Sequence, residues 1–449
     1  MESATHLKKP SILALENLDD NIKSFTVCSF GSFALGLHTN FLSMEYQLQT
    51  LSNGIRAVHL QTKSKVAHCC VMINAGTRDE LKDEHGLAHF IEHVIFKGTR
   101  RRKAFHVMSR LEDVGGELNA YTTKEETVVH ATFLKRDFSR AVELIADILY
   151  QSTFPSKELE REKAVILDEI NSYKDSPSEL IFDEFEELIY PNHPFGRNIL
   201  GSKRCLTRFG KNEILRFMER TYNTDQMVFC SVGDIPMKRV MRCLEECFGR
   251  IESNSRPYRR TPISDYVARS AEKKKNTFQE HCIVGCATYN LTHPRRIGLH
   301  LLNNILGGPG LNSRLNMSLR ERKGYAYNVE SSYTPFSDTG LFSIYFGSDR
   351  ANFDKSLSLL HRELNILRTK QLGILQLSKA KRQLIGQLAI AMENNEALML
   401  NLARSILIYN AFDTFDAISS RIESISSLEL LEIANEVFAI DNLSTLIYK

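Results

Sequence analysis

His89, Glu92 and His93 stand in the pattern His-x-x-Glu-His. Residues four apart share one face of a helix, so two imidazoles at this spacing can grip a single metal ion. Glu92 falls at the edge of that face, where a carboxylate can reach a water on the metal without being a ligand itself. This is the inverted spacing of a zinc hydrolase, in which the glutamate serves as general base.

Catalytic zinc takes three protein ligands and leaves a fourth position to water. The stretch Pro155 to Ile170 reads as a helix able to carry the third ligand. Ser156 is its expected N-cap, acidic residues fill the first turn and Pro177 lies beyond its end. Glu162 and Glu169 are two turns apart on one face, and on spacing alone either of them, or Asp168, completes the site. Most acidic helices simply present charge to solvent. Here Val165, Ile166, Leu167 and Ile170 surround Glu169 with apolar groups, and a carboxylate in that company needs a partner such as a metal.

With these residues the chain resembles the pitrilysin-type zinc peptidases, in the branch of the mitochondrial processing peptidase and its bacterial relatives. Gly86 to His93 followed by Phe96-Lys97-Gly98-Thr99 is similar to that family's zinc helix. Further similar stretches are Gly115 to Thr122, His193-Pro194-Phe195-Gly196, Ser313-Arg314-Leu315 and Arg320 to Tyr327, so the resemblance runs from about residue 45 to the C-terminus. It implies one zinc ion per chain, held by His89, His93 and Glu169, with Glu162 as a supporting carboxylate. It also implies that Arg320 and Tyr327 steady the oxyanion or anchor substrate. On residue type alone Arg320 is a surface charge and Tyr325 competes with Tyr327; only the family's spacing selects the pair. The strand after Gly115-Gly116 would pair with an extended substrate through its backbone, which places Glu117, Asn119 and Ala120 against the substrate.

The other histidines read differently. His85 is expected in water at the helix start, and His68, His130 and His300 are expected to be packed or hydrogen-bonded. Gly307-Gly308-Pro309-Gly310 has neither the Lys-Ser/Thr of a P-loop nor the spacing of a dinucleotide fingerprint; it resembles a Gly-rich loop of the family that takes part in substrate recognition.

The elements that must position these residues fall into two similar halves. The strand Ala67 to Gly76 precedes the His89 helix, and the strand Glu280 to Ala287 precedes His300 to Gly308. Aligning His89 with His300 sets Glu92 against Asn303 and His93 against Asn304, so the second copy keeps the apolar positions without the chemistry. A β-rich segment follows each helix, Thr127 to Phe133 and Gly340 to Phe346. Strands mixed with long helices, without regular alternation, indicate α+β domains. The expected architecture is two homologous domains, each a mainly antiparallel sheet packed with helices, facing each other across a cleft. Their expected bounds are 44–251 and 277–449, joined by a polar linker at 252–276, with 1–43 a weakly patterned extension.

A chain of 449 residues suits two domains of about 200 residues each. Charged residues at 25% and a net charge of +3 give no general case for nucleic-acid or membrane binding. No apolar run reaches the length of a bilayer span. The acidic residues of 1–43 make a poor secretory or transit signal. Nine cysteines, an odd number, suit a reducing compartment and are read as small buried hydrophobes. The expected setting is the cytoplasm, with the mitochondrial matrix or periplasm as alternatives. The expected activity is zinc-dependent endopeptidase action on peptides or unfolded segments, by a homodimer or a heterodimer with a related chain. The alternatives are a non-catalytic scaffold or partner subunit and a dedicated maturation protease for one small peptide.

Overall fold

Along Val66–Ile73 the side chains alternate between two buried layers. Cys69, Val71 and Ile73 enter one core while Cys70 and Met72 enter another. A strand apolar on both faces must lie inside a sandwich of layers, and the computed structural model, which describes residues 45–263, 265–275 and 277–449, places it so. The expected extension 1–43 and the domain start at residue 44 lie outside the described residues.

The first sheet contains β1 (Tyr46–Thr50), β2 (Arg56–Gln61), β3 (Val66–Ile73), β4 (Glu117–Thr122), β5 (Thr127–Leu134) and β6 (Met227–Gly233). The second contains β7 (Ser270–Lys273), β8 (Glu280–Thr288), β9 (Ala326–Pro335), β10 (Gly340–Ser348) and β11 (Ser444–Tyr448). Their orders are β1-β2-β6-β3-β5-β4 and β7-β11-β8-β10-β9. Apart from β1, the sheets repeat one plan. The pairs β2–β6 and β7–β11 are parallel, and every other pair is antiparallel. The fold is therefore two similar α+β domains with mixed, mainly antiparallel sheets.

Five helices position the site and join the halves: α1 (Leu87–Val94), α2 (Ser156–Lys174), α3 (Pro177–Ile189), α4 (Arg296–Gly307) and α5 (Asn395–Tyr409). The inner face of the first sheet packs on α1 and α2 through Phe90, Ile91, Val94, Ile166 and Ile170. The inner face of the second packs on α4 through Leu299, Leu302 and Leu306. The outer faces are covered reciprocally. From the second half, α5 sets Leu398, Leu402 and Ile406 on Val58, Cys70 and Val228 of the first sheet. From the first half, α3 sets Ile181, Phe185 and Ile189 on Ile283, Tyr345 and Leu446 of the second. Each domain thus completes the other's core, and the two halves are folded as one body.

Charge locks the same joint. Arg78 of the first half pairs with Glu125 at 2.6 Å and with Asp338 of the second half at 2.5 Å, and its side chain is 1% exposed. Arg260 reaches Asp79 at 2.8 Å, and Arg404 on α5 reaches Glu126 at 2.8 Å. Removing one partner from such a buried pair would leave an uncompensated charge, at a cost of about 3–5 kcal/mol. The stretch 252–276 is accordingly no free tether. Arg260 fastens it to the first domain, and its Ser270–Lys273 forms β7 in the second sheet.

Two smaller expectations change. The residue in the N-cap position of α2 is Pro155, and Ser156 is the first helical residue. Of the eight described cysteines six are buried, while Cys205 and Cys247 are partly buried at the margin of the first core.

Candidate metal centre and active site

The helix α1 begins abruptly. Gly86 has φ of 95°, a left-handed conformation natural to glycine. Its backbone lies against Gly201, where a Cβ on Gly86 would come within 2.6 Å of the Gly201 Cα. The helix start is held by Glu80, 2% exposed, whose carboxylate accepts the N–H groups of Gly86 and Ala88, both at 2.9 Å. Burial pushes this carboxyl up to about 8, and the two donors only partly oppose it. Spacing rules look for a capping carboxylate inside the first turn, so Glu80, six residues ahead of Gly86, gave no signal in the sequence.

So anchored, α1 turns His89 and His93 toward α2. One donor atom from each of His89, His93 and Glu169 can be chosen so that all lie within 4.8 Å of one another. Glu169 Oε2 stands 3.9 Å from His89 Nε2 and 3.6 Å from His93 Nε2. Tetrahedral coordination with zinc bonds near 2.1 Å separates donors by about 3.4 Å, so small shifts would close the site. Glu169 Oε2 is moreover buried with no hydrogen-bond partner. A buried carboxylate oxygen facing two imidazole nitrogens without a hydrogen bond fits a cation between them. Among the described residues no other group of three such side chains meets this test.

The remaining carboxylates separate cleanly. Glu162 Oε2 lies 3.3 Å from His93 Nδ1, and Glu162 Oε1 lies 2.8 Å from Lys97 Nζ. Burial would raise the Glu162 carboxyl, but the hydrogen bonds from His93 and Lys97 outweigh it and hold the group below its ordinary value. This contact makes His93 Nδ1 the protonated nitrogen and leaves the Nε2 lone pair free to meet a cation. Asp168 is exposed, on the other side of α2. Glu92 stands outside the three-residue cluster. Burial raises its carboxyl to about 7, against the opposing influence of His93 and Thr122, and a divalent cation beside it would draw that value down. Burial also drives His89 well below its ordinary value, so it is neutral and able to coordinate.

At one edge of the first sheet, β4 has one neighbour, β5, and its other backbone edge is open. Strand alternation divides its side chains. Leu118 and Ala120 pack on the core that contains α1, and Thr122 adjoins Glu92. Tyr121 turns to the face under α5, so Glu117 and Asn119, of the same parity, are carried on that side too. Contact of a substrate with Glu117 and Asn119 next to the metal would therefore be through the strand's backbone rather than through their side chains.

Arg320 and Tyr327 meet each other, the guanidinium 5.4 Å from the ring centroid, and both are exposed. Tyr327 lies on β9, the edge strand that corresponds to β4. Among the described residues no hydrogen bond or ion pair joins either to the zinc set. His85 is half-buried and bonded to the Asn198 carbonyl at 2.9 Å, rather than standing in water, because the loop ahead of Gly201 folds over it. His68 bonds Thr132 and His130 pairs with Glu396. His300, the counterpart of His89, packs against Tyr333 with the rings tilted by 53°, and burial lowers it to about 4. Lys97 and Thr122 fall inside the family-like stretches, but their types and spacing assign neither a role; Lys97, four residues after His93, carries a helical-spacing signal that the end of α1 at Val94 obscures.

Comparison with known proteins gives one consistent picture. Residues 56–203 match the profile of the insulinase family (peptidase family M16), and residues 208–384 match that of the peptidase M16 inactive domain. A protein of Bacillus subtilis named "Uncharacterized zinc protease YmxG" is 29% identical over 396 residues, spanning 87% of this chain and 95% of its own. One of Mycobacterium tuberculosis, "Uncharacterized zinc protease Rv2782c", is 30% identical over 401 residues, spanning 87% and 90%. A protease from Helicobacter pylori has the same fold, with a TM-score of 0.85 at 21% identity over 90% of this chain and 99% of its own.

Proposed function

This chain belongs to the M16 (insulinase/pitrilysin-type) family of peptidases, and on that premise we propose that it is a zinc-dependent endopeptidase acting on peptides or unfolded segments. The observation that carries the reading is the meeting of His89, His93 and the unpartnered Glu169 oxygen, with Glu92 beside them and outside the ligand set.

His89 Nε2, His93 Nε2 and Glu169 Oε2 would hold one zinc ion per chain. Zinc bound there supplies Lewis acidity, polarising the scissile carbonyl and making water acidic near neutral pH. Glu92 takes the proton from the attacking water as its oxygen bonds to the carbonyl carbon. It then returns that proton to the leaving amide nitrogen as the C–N bond breaks, so the carboxylate is regenerated. Glu162 keeps the His93 ring in one tautomer and orientation through Nδ1, and Lys97 fixes Glu162 in turn. The open edge of β4 near Ala120 offers backbone donors and acceptors to an extended chain, which selects unfolded segments over folded ones. Arg320 and Tyr327 act as a paired anchor from the second domain, gripping the substrate or the developing oxyanion.

Removal of metal tests the reading. Extensive chelation should abolish cleavage of an unstructured polypeptide, mapped by mass spectrometry, and stoichiometric zinc should restore it. Undiminished cleavage by metal-free protein would refute it.

A further inference from the structure

The helix Met237–Phe248 carries Cys243 and Cys247 one turn apart, a spacing that sets both side chains on one face. Both line a cavity of about 570 Å³, whose walls also include Ser139, Arg140 and Glu143 of the helix Phe138–Gln151. Cys243 is 3% exposed, with the Ser139 hydroxyl 3.2 Å from its sulfur, and Cys247 is half-buried. Four arginines and three carboxylates, Asp137, Glu143 and Glu246, make up the charged lining. Arg102 pairs with Glu143 at 2.8 Å, and Arg140 with Asp137 at 3.6 Å. The lining therefore carries one positive charge in excess.

The surroundings choose among the uses of such a pair. A redox or nucleophilic thiol must ionise readily. Burial, followed by the influence of Cys243, Glu143 and Glu246, instead pushes the Cys247 thiol up to about 11. Zinc held by protein takes three or four ligands, and among the described residues no third histidine, cysteine or carboxylate joins these two sulfurs in a ligand set. A packing role suits Cys243 but leaves Cys247 facing charged groups. What remains is a soft cation satisfied by two sulfurs in line, and thiolates are the ligands such ions select.

We propose that Cys243 and Cys247 form a two-coordinate site for a soft monovalent cation, Cu(I). Binding releases both thiol protons to solvent and forms two Cu–S bonds, with no change in oxidation state. One monovalent cation between two thiolates carries a single negative charge, which matches the excess positive charge of the lining. A divalent ion would leave that excess uncompensated. Once Cys243 has lost its proton, the Ser139 hydroxyl donates to its sulfur and steadies it. The site shares no residue with the zinc set, so it stands apart from the peptidase reading.

The test is an anaerobic titration of the full chain with Cu(I) in competition with the coloured chelator bicinchoninate. One equivalent of Cu(I) should pass from the chelator to the protein, and X-ray absorption should show two sulfur neighbours. Cys247→Ser, at a half-buried position, should weaken binding by about a hundredfold or more at an unchanged melting temperature, since even an outer-shell partner is worth up to that. Cys243→Ser should do the same. Cys205→Ser, which removes a partly buried thiol with no cysteine one turn away, should leave the competition unaltered. No withdrawal of copper from the chelator, full retention by Cys243→Ser/Cys247→Ser, equal weakening by Cys205→Ser, or nitrogen among the copper's neighbours would overturn the proposal.

Discussion

At the scale of single residues, one helix carries three acidic side chains near the metal site, and their surroundings give them different work. Glu169 has no partner but the two imidazoles, Glu162 holds His93 Nδ1 and Lys97, and Asp168 faces solvent. Spacing narrows the third ligand to these three and goes no further, because periodicity gives the face of a helix and not the depth of each group within it. Resemblance to the family singles out Glu169. Glu169→Gln keeps the shape of the side chain and removes the anionic donor, so it should weaken zinc binding by at least tenfold in a competition with a fluorescent chelator. Zinc affinity equal to that of the parent chain would remove Glu169 from the ligand set.

At the scale of elements, the two histidines are useful only if α1 enters at a fixed angle, and that angle rests on contacts far apart in sequence. Gly201 has φ of 79°, and a Cβ there would meet the Gly86 Cα at 2.4 Å. Gly201→Ala should therefore cost the strain of an unfavourable backbone plus displacement of the helix start, together about 1–3 kcal/mol. A melting-temperature loss of about 2–4 °C per kcal/mol would report it, accompanied by weaker zinc retention. Gly115→Ala is the control, since Gly115 has φ of 74° with nothing within 4 Å of its Cβ position. Equal effects on zinc retention in both variants would show that the Gly86–Gly201 contact does not position the site. The strands β5 and β10, the helix α2 and the repeat of the two halves were legible from apolar periodicity. The positioning by Glu80 and Gly201 was not, because a buried carboxylate and a glycine look ordinary until the chain brings them to the helix start.

At the scale of the whole molecule, the reciprocal packing of α3 and α5 makes each sheet depend on the other half for its outer cover. An apolar helix face announces that it is buried without saying against which sheet, so the exchange was invisible in the sequence. The matching sheets, by contrast, followed from the internal repeat. In the proposed reading one chain carries both the zinc set and the Arg320–Tyr327 pair, and so would need no catalytic group from a different subunit. We therefore propose a homodimer closed by two-fold symmetry, which light scattering of the isolated chain would reveal at twice the 51.3 kDa of one chain. A monomer that cleaves at full rate at nanomolar concentration would contradict it. The proposed reading gives metal binding and proton transfer to different residues, and Glu92→Gln separates the two within one sample. Zinc content and peptide turnover measured together on that variant should give one zinc per chain with turnover reduced about a thousandfold, within the usual range for loss of a general base. Turnover at the parent rate with a full complement of zinc would contradict the assignment of Glu92 as the base.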